Sequence, residues 1–439
     1  MFVSDAEIKV GVDTFDTKRG EVALDHLNRK PAGQRLSQLM GRDDQPLVVA
    51  LDGDWGSGKS HFLKLWTGSH AGFGGKAKVI YFDAFARDYL DDPFVSLVAA
   101  ITEAQEKAAE GTPAIKKTLG NLKKFAAKLV PSALRITAAA LTAGATEAAL
   151  FASGAVADAA IEGLGQEAEK AIEQFWQREQ GRIAAIEAFR SALAELAAAQ
   201  PLILVIDELD RCRPDFALSL LEVVKHFFSV KGVQFVLGVR LEALEESVRH
   251  RYGPNTDARL YLQKFLHMRL SLPQEADNAA WRVHFHKVCE TLGLETATVK
   301  DCAEILEKWT GAEPTLRDVE RIATRLALLP EDFREYRPAI QTTALTAVVL
   351  EAKDLATYRL LRKNQLEWTY ISQKFGLTKD ELDVPSEQYG MTQIWQTLLL
   401  PPRGAESFIF KETRFGLSSA FPINIDDLLS PIFDTLRPA

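Results

Sequence analysis

Eight residues, Gly53-Asp54-Trp55-Gly56-Ser57-Gly58-Lys59-Ser60, follow the spacing GxxxxGK[ST]. Each fixed position in that pattern has a job that few other residues can do. Gly53, Gly56 and Gly58 permit backbone angles and a closeness of approach that a Cβ forbids, so successive amide N–H groups can turn inward around an anion. The Lys59 ammonium is then expected to reach the β- and γ-phosphates of a nucleotide, and the Ser60 hydroxyl to hold Mg2+. His61-Phe62-Leu63-Lys64-Leu65-Trp66 continues with helical spacing. The loop therefore opens a helix, whose N-terminal partial charge favours phosphate. The expected nucleotide cradle runs from Gly53 to His61, with Asp54, Trp55 and Ser57 among its members.

A phosphate loop needs a carboxylate on a neighbouring strand to hold the hydrated metal. The apolar run Pro201-Leu202-Ile203-Leu204-Val205-Ile206 ends in Asp207-Glu208-Leu209-Asp210-Arg211, which supplies it. Asp207 joins Ser60 as the expected metal ligand. Glu208, just beyond the strand end, is placed to polarise an attacking water as general base. Charge developing on the γ-phosphate calls for arginine, and four are in range of the motifs: Arg211, Arg213, Arg240 and Arg317. Ligands of such sheets bind at the carboxyl ends of strands, which favours Arg240 and makes Arg211 plausible, while Arg317 stands at a helix start beyond Pro314. The expected catalytic set is thus Lys59, Asp207, Glu208, Arg211, Arg240 and Arg317. His284 and His286 lack an acidic or cysteine partner at ligand spacing, and Cys212 reads as a small buried side chain. Phe227-Phe228 reads as core.

These residues need strands and helices to position them, and the chain alternates the two. Pro46–Leu51 and Lys78–Asp83 read as strands around the first helix. A third strand leads into Asp207, a fourth spans Val233–Val239, and a fifth is expected at Leu266–Leu272, closed by Pro273. Strand and helix in alternation predict an α/β fold, a parallel sheet with helices on both faces. An amphipathic stretch from Leu24 to Met40 leads into the first strand. Residues 93–199 read as a long helical insertion rich in alanine, glutamate and lysine. Its most apolar part, Leu134 to Gly165, is interrupted by Arg135, Glu147, Asp158 and Glu162, so no uncharged run reaches the roughly 18 residues of a membrane span. The expected division is 1–92 for the lead-in and first part of the core, 93–199 for the insertion, 200–275 for the second part of the core, 276–335 for a helical lid, and 336–439 for a C-terminal region. Gly311-Ala312-Glu313-Pro314 marks a turn between two helices. Short aromatic runs such as Ser407-Phe408-Ile409-Phe410 carry no visible chemistry.

The chain has 439 residues, of which 47% are hydrophobic and 26% charged, a balance that excludes disordered and low-complexity classes. A formal charge of −8 argues against a chain-wide basic surface for nucleic acid. Three cysteines, Cys212, Cys289 and Cys302, are too few and scattered for a disulfide framework or a paired zinc site. With an N-terminus too acidic for a secretory signal, a cytoplasmic setting is expected.

Four segments in order resemble the KAP family of P-loop NTPases, in the additional-strand, catalytic-acid division of that fold. The tryptophan-bearing loop Gly53–Ser60 is the first. Tyr81-Phe82-Asp83-Ala84-Phe85-Ala86-Arg87 with Asp91-Asp92-Pro93 is similar to the family's second-strand segment, and Ile206-Asp207-Glu208-Leu209-Asp210-Arg211-Cys212 to its metal-site pattern. Tyr261-Leu262-Gln263-Lys264-Phe265 is similar to its later Tyr-Leu-Glu-Lys-Ile run. The resemblance covers roughly residues 20 to 330. It implies Mg-ATP binding and hydrolysis, a lid in which Arg317 matches the family's Asn-Pro-Arg segment, and one extra strand between the loop and acid strands. It also implies protein partners or self-assembly through the insertion and C-terminal region, in a setting of bacterial defence against phage. Two departures stand out: Arg240 replaces the family's usual aspartate, and the insertion is too charged to match the transmembrane helices of many members. A non-hydrolysing ATP-bound scaffold is the alternative reading. A metabolite kinase is disfavoured, because the acid pair suits activation of water.

Overall fold

The runs expected as strands pair in parallel, and their order explains how the loop and the acids come to share one edge. After a two-residue antiparallel hairpin, β1 (Lys18–Arg19) and β2 (Val22–Ala23), the sheet takes in β3 (Val48–Asp52), β4 (Lys78–Asp83), β5 (Leu202–Asp207), β6 (Val233–Val239) and β7 (Met268–Ser271). Its spatial order is β4-β5-β6-β3-β7, and every pairing is parallel. β6 therefore lies between the loop strand β3 and the acid strand β5, which is the extra strand that the resemblance implied. The register aligns Asp83 with Asp207, Asp207 with Gly238, and Asp52 with Val239, so three acids finish their strands at the same carboxyl edge. The fifth strand is shorter than the sequence suggests, because it is an edge strand whose residues are largely exposed.

This computed structural model describes residues 8–19, 22–25, 27–41, 46–89, 93–108, 184, 186–272, 280–378, 391–399 and 425–433. Of these, 8–54 and 58–272 form one unit, and 55–57 with the residues from 280 onward form a second. Of the insertion expected at 93–199, residues 109–183 and 185 lie outside the described residues, as do its apolar part at 134–165 and the run at 407–410. Among the described residues no helix is long and apolar enough to cross a membrane.

In the first unit β3, β5 and β6 are buried along their whole length, as unbroken apolar runs in parallel sheets should be. Successive residues point to opposite faces, and two different cores result. Val48, Ala50, Leu204, Ile206, Phe235 and Leu237 pack on one side with Phe94 and Leu97 of helix α3 (Pro93–Ala108) and with Phe189 and Leu193. Val49, Leu51, Ile203, Val205 and Val236 pack on the other. There they meet Phe62, Leu63 and Trp66 of helix α2 (Lys59–Ser69) and Leu36 and Met40 of helix α1 (Lys30–Met40). α1 starts at Lys30, with Pro31 in its first turn, where proline's fixed φ and missing N–H fit best. The amphipathic stretch is thus helical only over its second part. Phe227 is fully buried, and Phe228 packs partly buried against the same core.

One buried polar chain sits beneath α1 and α2. Trp66 Nε1 donates to Ser37 Oγ at 2.9 Å, and Ser37 Oγ lies 2.9 Å from His70 Nδ1. The His70 ring is 1% exposed, and its Nε2 has no hydrogen-bond partner. Gly75 lies against the ring so closely that a Cβ would approach Nε2 to 2.1 Å. Burial lowers the His70 pKa below the ordinary histidine value of 6.5, so the unfolded chain takes up the proton first as pH falls. The contribution of His70 is fully present above pH 6.5 and is lost below it. Denaturant unfolding between pH 8 and pH 5 should show stability falling toward the acid end, with a His70 slope of at most about 1.4 kcal/mol per pH unit. His70→Asn should flatten that slope, and equal slopes in both chains would contradict the assignment.

The second unit is helical. It comprises α4 (Ala280–Thr291), α5 (Thr296–Glu307), α6 (Leu316–Leu326), α7 (Pro338–Lys353), α8 (Leu355–Arg362), α9 (Trp368–Phe375), α10 (Met391–Leu399) and α11 (Ile425–Phe433). Every residue of α7 from Thr343 to Leu350 is buried. A helix apolar all round must be wrapped by others. Phe285, Cys302, Ile322, Ile371 and Trp395 from five neighbouring helices fill the core around it. The turn read at 311–314 separates α5 from α6, and α6 opens with a reciprocal cap in which Asp318 N–H donates to Thr315 Oγ1 and Thr315 N–H to Asp318 Oδ2. His284 is buried and bonded to Glu320 at 2.9 Å, a structural role.

Candidate phosphate and metal site

β3 ends at Asp52 and the chain turns through Gly53, whose N–H donates to Val239 O at 3.3 Å. Gly58 then takes a left-handed φ of 83° as the residue before α2, and Phe62 N–H closes the first helical bond to Gly58 O at 3.0 Å. A side chain at that φ is strained, so the glycine is what lets a strand feed a helix head-on. The loop tip, residues 55–57, belongs to the helical unit. Within that unit Leu316 N–H donates to Gly56 O at 3.1 Å, and a Cβ on Gly56, whose φ is 82°, would meet Thr315 Oγ1 at 3.0 Å and Arg317 Cβ at 3.1 Å. Arg317 thus neighbours the tip. Trp55 is 43% exposed, and Ser57 Oγ is buried without a hydrogen-bond partner.

Lys59 is 8% exposed and folds back on its own loop, with Nζ donating to Gly53 O at 2.5 Å and Asp54 O at 3.0 Å. Burial lowers its pKa, and the nearby Asp210, Asp207 and Asp52 pull the other way. Ser60 Oγ donates to Glu208 Oε1 at 3.3 Å and is also within reach of Asp207. Asp207 is 1% exposed, and burial pushes its pKa up to about 6 against the opposing hydrogen bonds from Tyr81 and Ser60. The acid pair and the loop serine therefore meet, as their motifs predict. A hydroxyl and carboxylates, all hard oxygen donors on separate elements, fit Mg2+, an ion that keeps water and phosphate as its remaining ligands. Among the described residues no group of three or more His, Cys, Asp or Glu forms a metal site by itself. The orphaned Ser57 hydroxyl fits a phosphate oxygen equally well.

Glu208 has φ 59° and ψ 25°, a left-handed backbone that costs a non-glycine residue roughly 1–2 kcal/mol. Arg211 Nη1 pairs with Glu208 Oε1 at 3.0 Å, so its immediate partner is the general-base candidate. Arg240, at the end of β6, pairs with Asp54 Oδ1 of the loop at 3.2 Å and with Glu242 at 2.9 Å. It meets the loop through a carboxylate. Arg213 is taken up by Asp88, its Nη2 donating to Asp88 O at 2.5 Å. His61 Nε2 lies 2.9 Å from Leu24 O, leaving the backbone as its means of joining the cradle. Cys212 is buried with its thiol pKa pushed up by burial, which removes thiolate chemistry.

Three residues near the site escaped the motif search. Asp52, 6% exposed, accepts from Leu241 N–H at 2.8 Å and pairs with Arg269 at 2.5 Å, tying the ends of β3, β6 and β7 together. An acid ending an apolar strand was its signal, the same one that marks Asp207. Asp210, 9% exposed, adds to the field on Lys59. Tyr81 OH donates to Asp207 Oδ2 at 2.7 Å, and nothing local in the sequence announces it.

The sequence profile of the KAP family P-loop domain matches residues 32–331, more than half of the chain. No curated protein matches. Among solved structures, the Aeropyrum pernix ORC2 protein is similar in two forms. The ADPNP-ADP complexes show 12% identity and a TM-score of 0.36, covering 92% of this chain and 85% of that one. The ADP form shows 12% identity and a TM-score of 0.33, covering 91% and 84%.

Proposed function

We propose that this chain, which belongs to the KAP family of P-loop proteins, binds Mg-ATP and hydrolyses it to switch or power a multi-protein assembly. One observation carries the reading: Ser60 Oγ, Asp207 and Glu208 meet at the carboxyl edge of the sheet, next to a loop lysine that is buried yet bonded to loop carbonyls. Loop amides and Lys59 bind the phosphates, while Ser60 and Asp207 hold the ion. Held there, Mg2+ would supply positive charge to offset the negative charge of the phosphates. Glu208 takes the proton of the attacking water, and Arg240 and Arg211 are the cations of the same unit available to the transferring phosphoryl group. Kinship with the family supports a place in defence against phage. Partner contacts fall to the insertion, between its ends at 93–108 and 186–199 that pack on the sheet, and to the C-terminal region.

A second reading, a non-hydrolysing ATP-bound scaffold, draws on the Arg211–Glu208 pair, which engages the carboxylate that would activate water. Equilibrium binding of ATP and GTP by the purified chain, with Mg2+ and with a chelator, together with phosphate release, tests the proposal. ATP binding tightened by Mg2+, with ADP and phosphate as products, is expected. Binding without turnover selects the scaffold. No ATP binding at millimolar concentration, or a phosphorylated metabolite as product, overturns both.

A further inference from the structure

The Asp207 carboxylate is held by donors that carry no charge, the Ser60 hydroxyl among them. Glu208 N–H donates to Oδ1 at 2.9 Å, and Tyr81 OH donates to Oδ2 at 2.7 Å. Each carboxylate oxygen keeps a further acceptor position. These donors fix the rotation of the group without neutralising it, whereas a lysine or arginine in the place of Tyr81 would compete with an incoming cation. Tyr81 reaches Asp207 because β4 pairs with β5 in a register that sets Tyr81 opposite Val205, one same-face step before the acid. Its ring also lies beneath Lys64 Nζ, 5.9 Å from the centroid, and Lys64 follows Ser60 by one turn of α2. From the other side Gly238 of β6 leaves the room that Asp207 fills, since a Cβ there would approach Oδ1 to 2.2 Å and Leu63 Cδ1 to 2.6 Å. The tyrosine thus links the two groups expected to bind the ion, the carboxylate directly and the serine helix through its ring.

We propose that Tyr81 is a positioning residue that holds the Asp207 carboxylate turned toward the metal of Mg-ATP, an inference that rests on the function proposed above. The phenol does not touch the ion. It acts through Asp207, so its removal loosens the metal and leaves metal-free nucleotide contacts alone. Partners of this kind are worth about 10- to 100-fold in metal affinity.

The test is a Mg2+ titration of fluorescent ATP-analogue binding to the full chain, for wild type, Tyr81→Phe, Asp207→Ala and the double variant. Tyr81→Phe should raise the Mg2+ midpoint about 10- to 100-fold, leave affinity in chelator unchanged, and add nothing in the Asp207→Ala background. Affinity in chelator serves as the control for folding. A midpoint within twofold of wild type overturns the inference, as does an equal loss of metal-free affinity or a full shift in the absence of Asp207. If the wild-type chain binds the analogue but Tyr81→Phe behaves like it, only the role of Tyr81 falls. If the wild type binds no nucleotide, the functional reading falls and takes this inference with it.

Discussion

Glu208→Gln should leave ATP bound and lower its hydrolysis by about 10²–10⁴-fold, the range over which a positioned general base contributes. The amide keeps the size of the side chain and can still accept from Ser60, whose hydroxyl lies 3.3 Å from Glu208 Oε1. It keeps the left-handed backbone at residue 208, so the change is chemical rather than conformational. What disappears is the proton acceptor, a rise in the barrier of about 3–5 kcal/mol. The ion pair with Arg211 at 3.0 Å disappears too, freeing a cation that the wild-type carboxylate holds. Phosphate release under single-turnover conditions, read beside ATP affinity, separates the outcomes. Retained hydrolysis would remove Glu208 from the mechanism. Loss of turnover with function in the cell preserved would support the scaffold reading instead.

Lys59→Ala acts one step earlier. The wild-type ammonium sits 8% exposed, bonded to Gly53 O and Asp54 O, and burial already weighs against its charge. Exchanging those carbonyls for phosphate oxygens gives the cation an anionic partner, and a charge-assisted hydrogen bond of this sort contributes about 1.5–3 kcal/mol. Nucleotide affinity should therefore fall by about 10- to 100-fold in Lys59→Ala. Lys59→Arg should not restore it, since a planar fork replaces a compact point charge in a buried site. Calorimetric titration with ATP measures both. Affinity unchanged in Lys59→Ala would mean that the loop does not grip a nucleotide as its spacing implies.

The phosphate loop, the acid pair and the parallel sheet were legible in the sequence because each is a local pattern. Glycines at fixed offsets, an apolar run that ends in acid and alternating strand and helix need no knowledge of distant contacts. Even the bland readings of Cys212 and Phe227 follow from composition around single residues. The partners of the arginines were not legible. Arg211 and Arg240 looked alike as cations near strand ends, yet one pairs with Glu208 and the other with Asp54 and Glu242. Which carboxylate a long flexible side chain meets depends on packing across elements.

Asp52 and Tyr81 show the same divide more sharply. Asp52 could have been found by the rule that found Asp207, an acid at the end of an apolar strand, but its task of tying β3 to Arg269 and to Leu241 N–H depends on β7 and β6 lying on either side of it. Nothing local marks Tyr81 as a partner of Asp207: 126 positions separate the two, and only the β4–β5 register brings the phenol to the carboxylate. The sequence by itself determined which groups could bind phosphate and metal, since residue type and short-range spacing set that chemistry. Tertiary structure alone decided how those groups are held and which cation faces which anion, because hydrogen bonds and ion pairs act over a few ångströms and the sheet's strand order chooses which distant residues come that close.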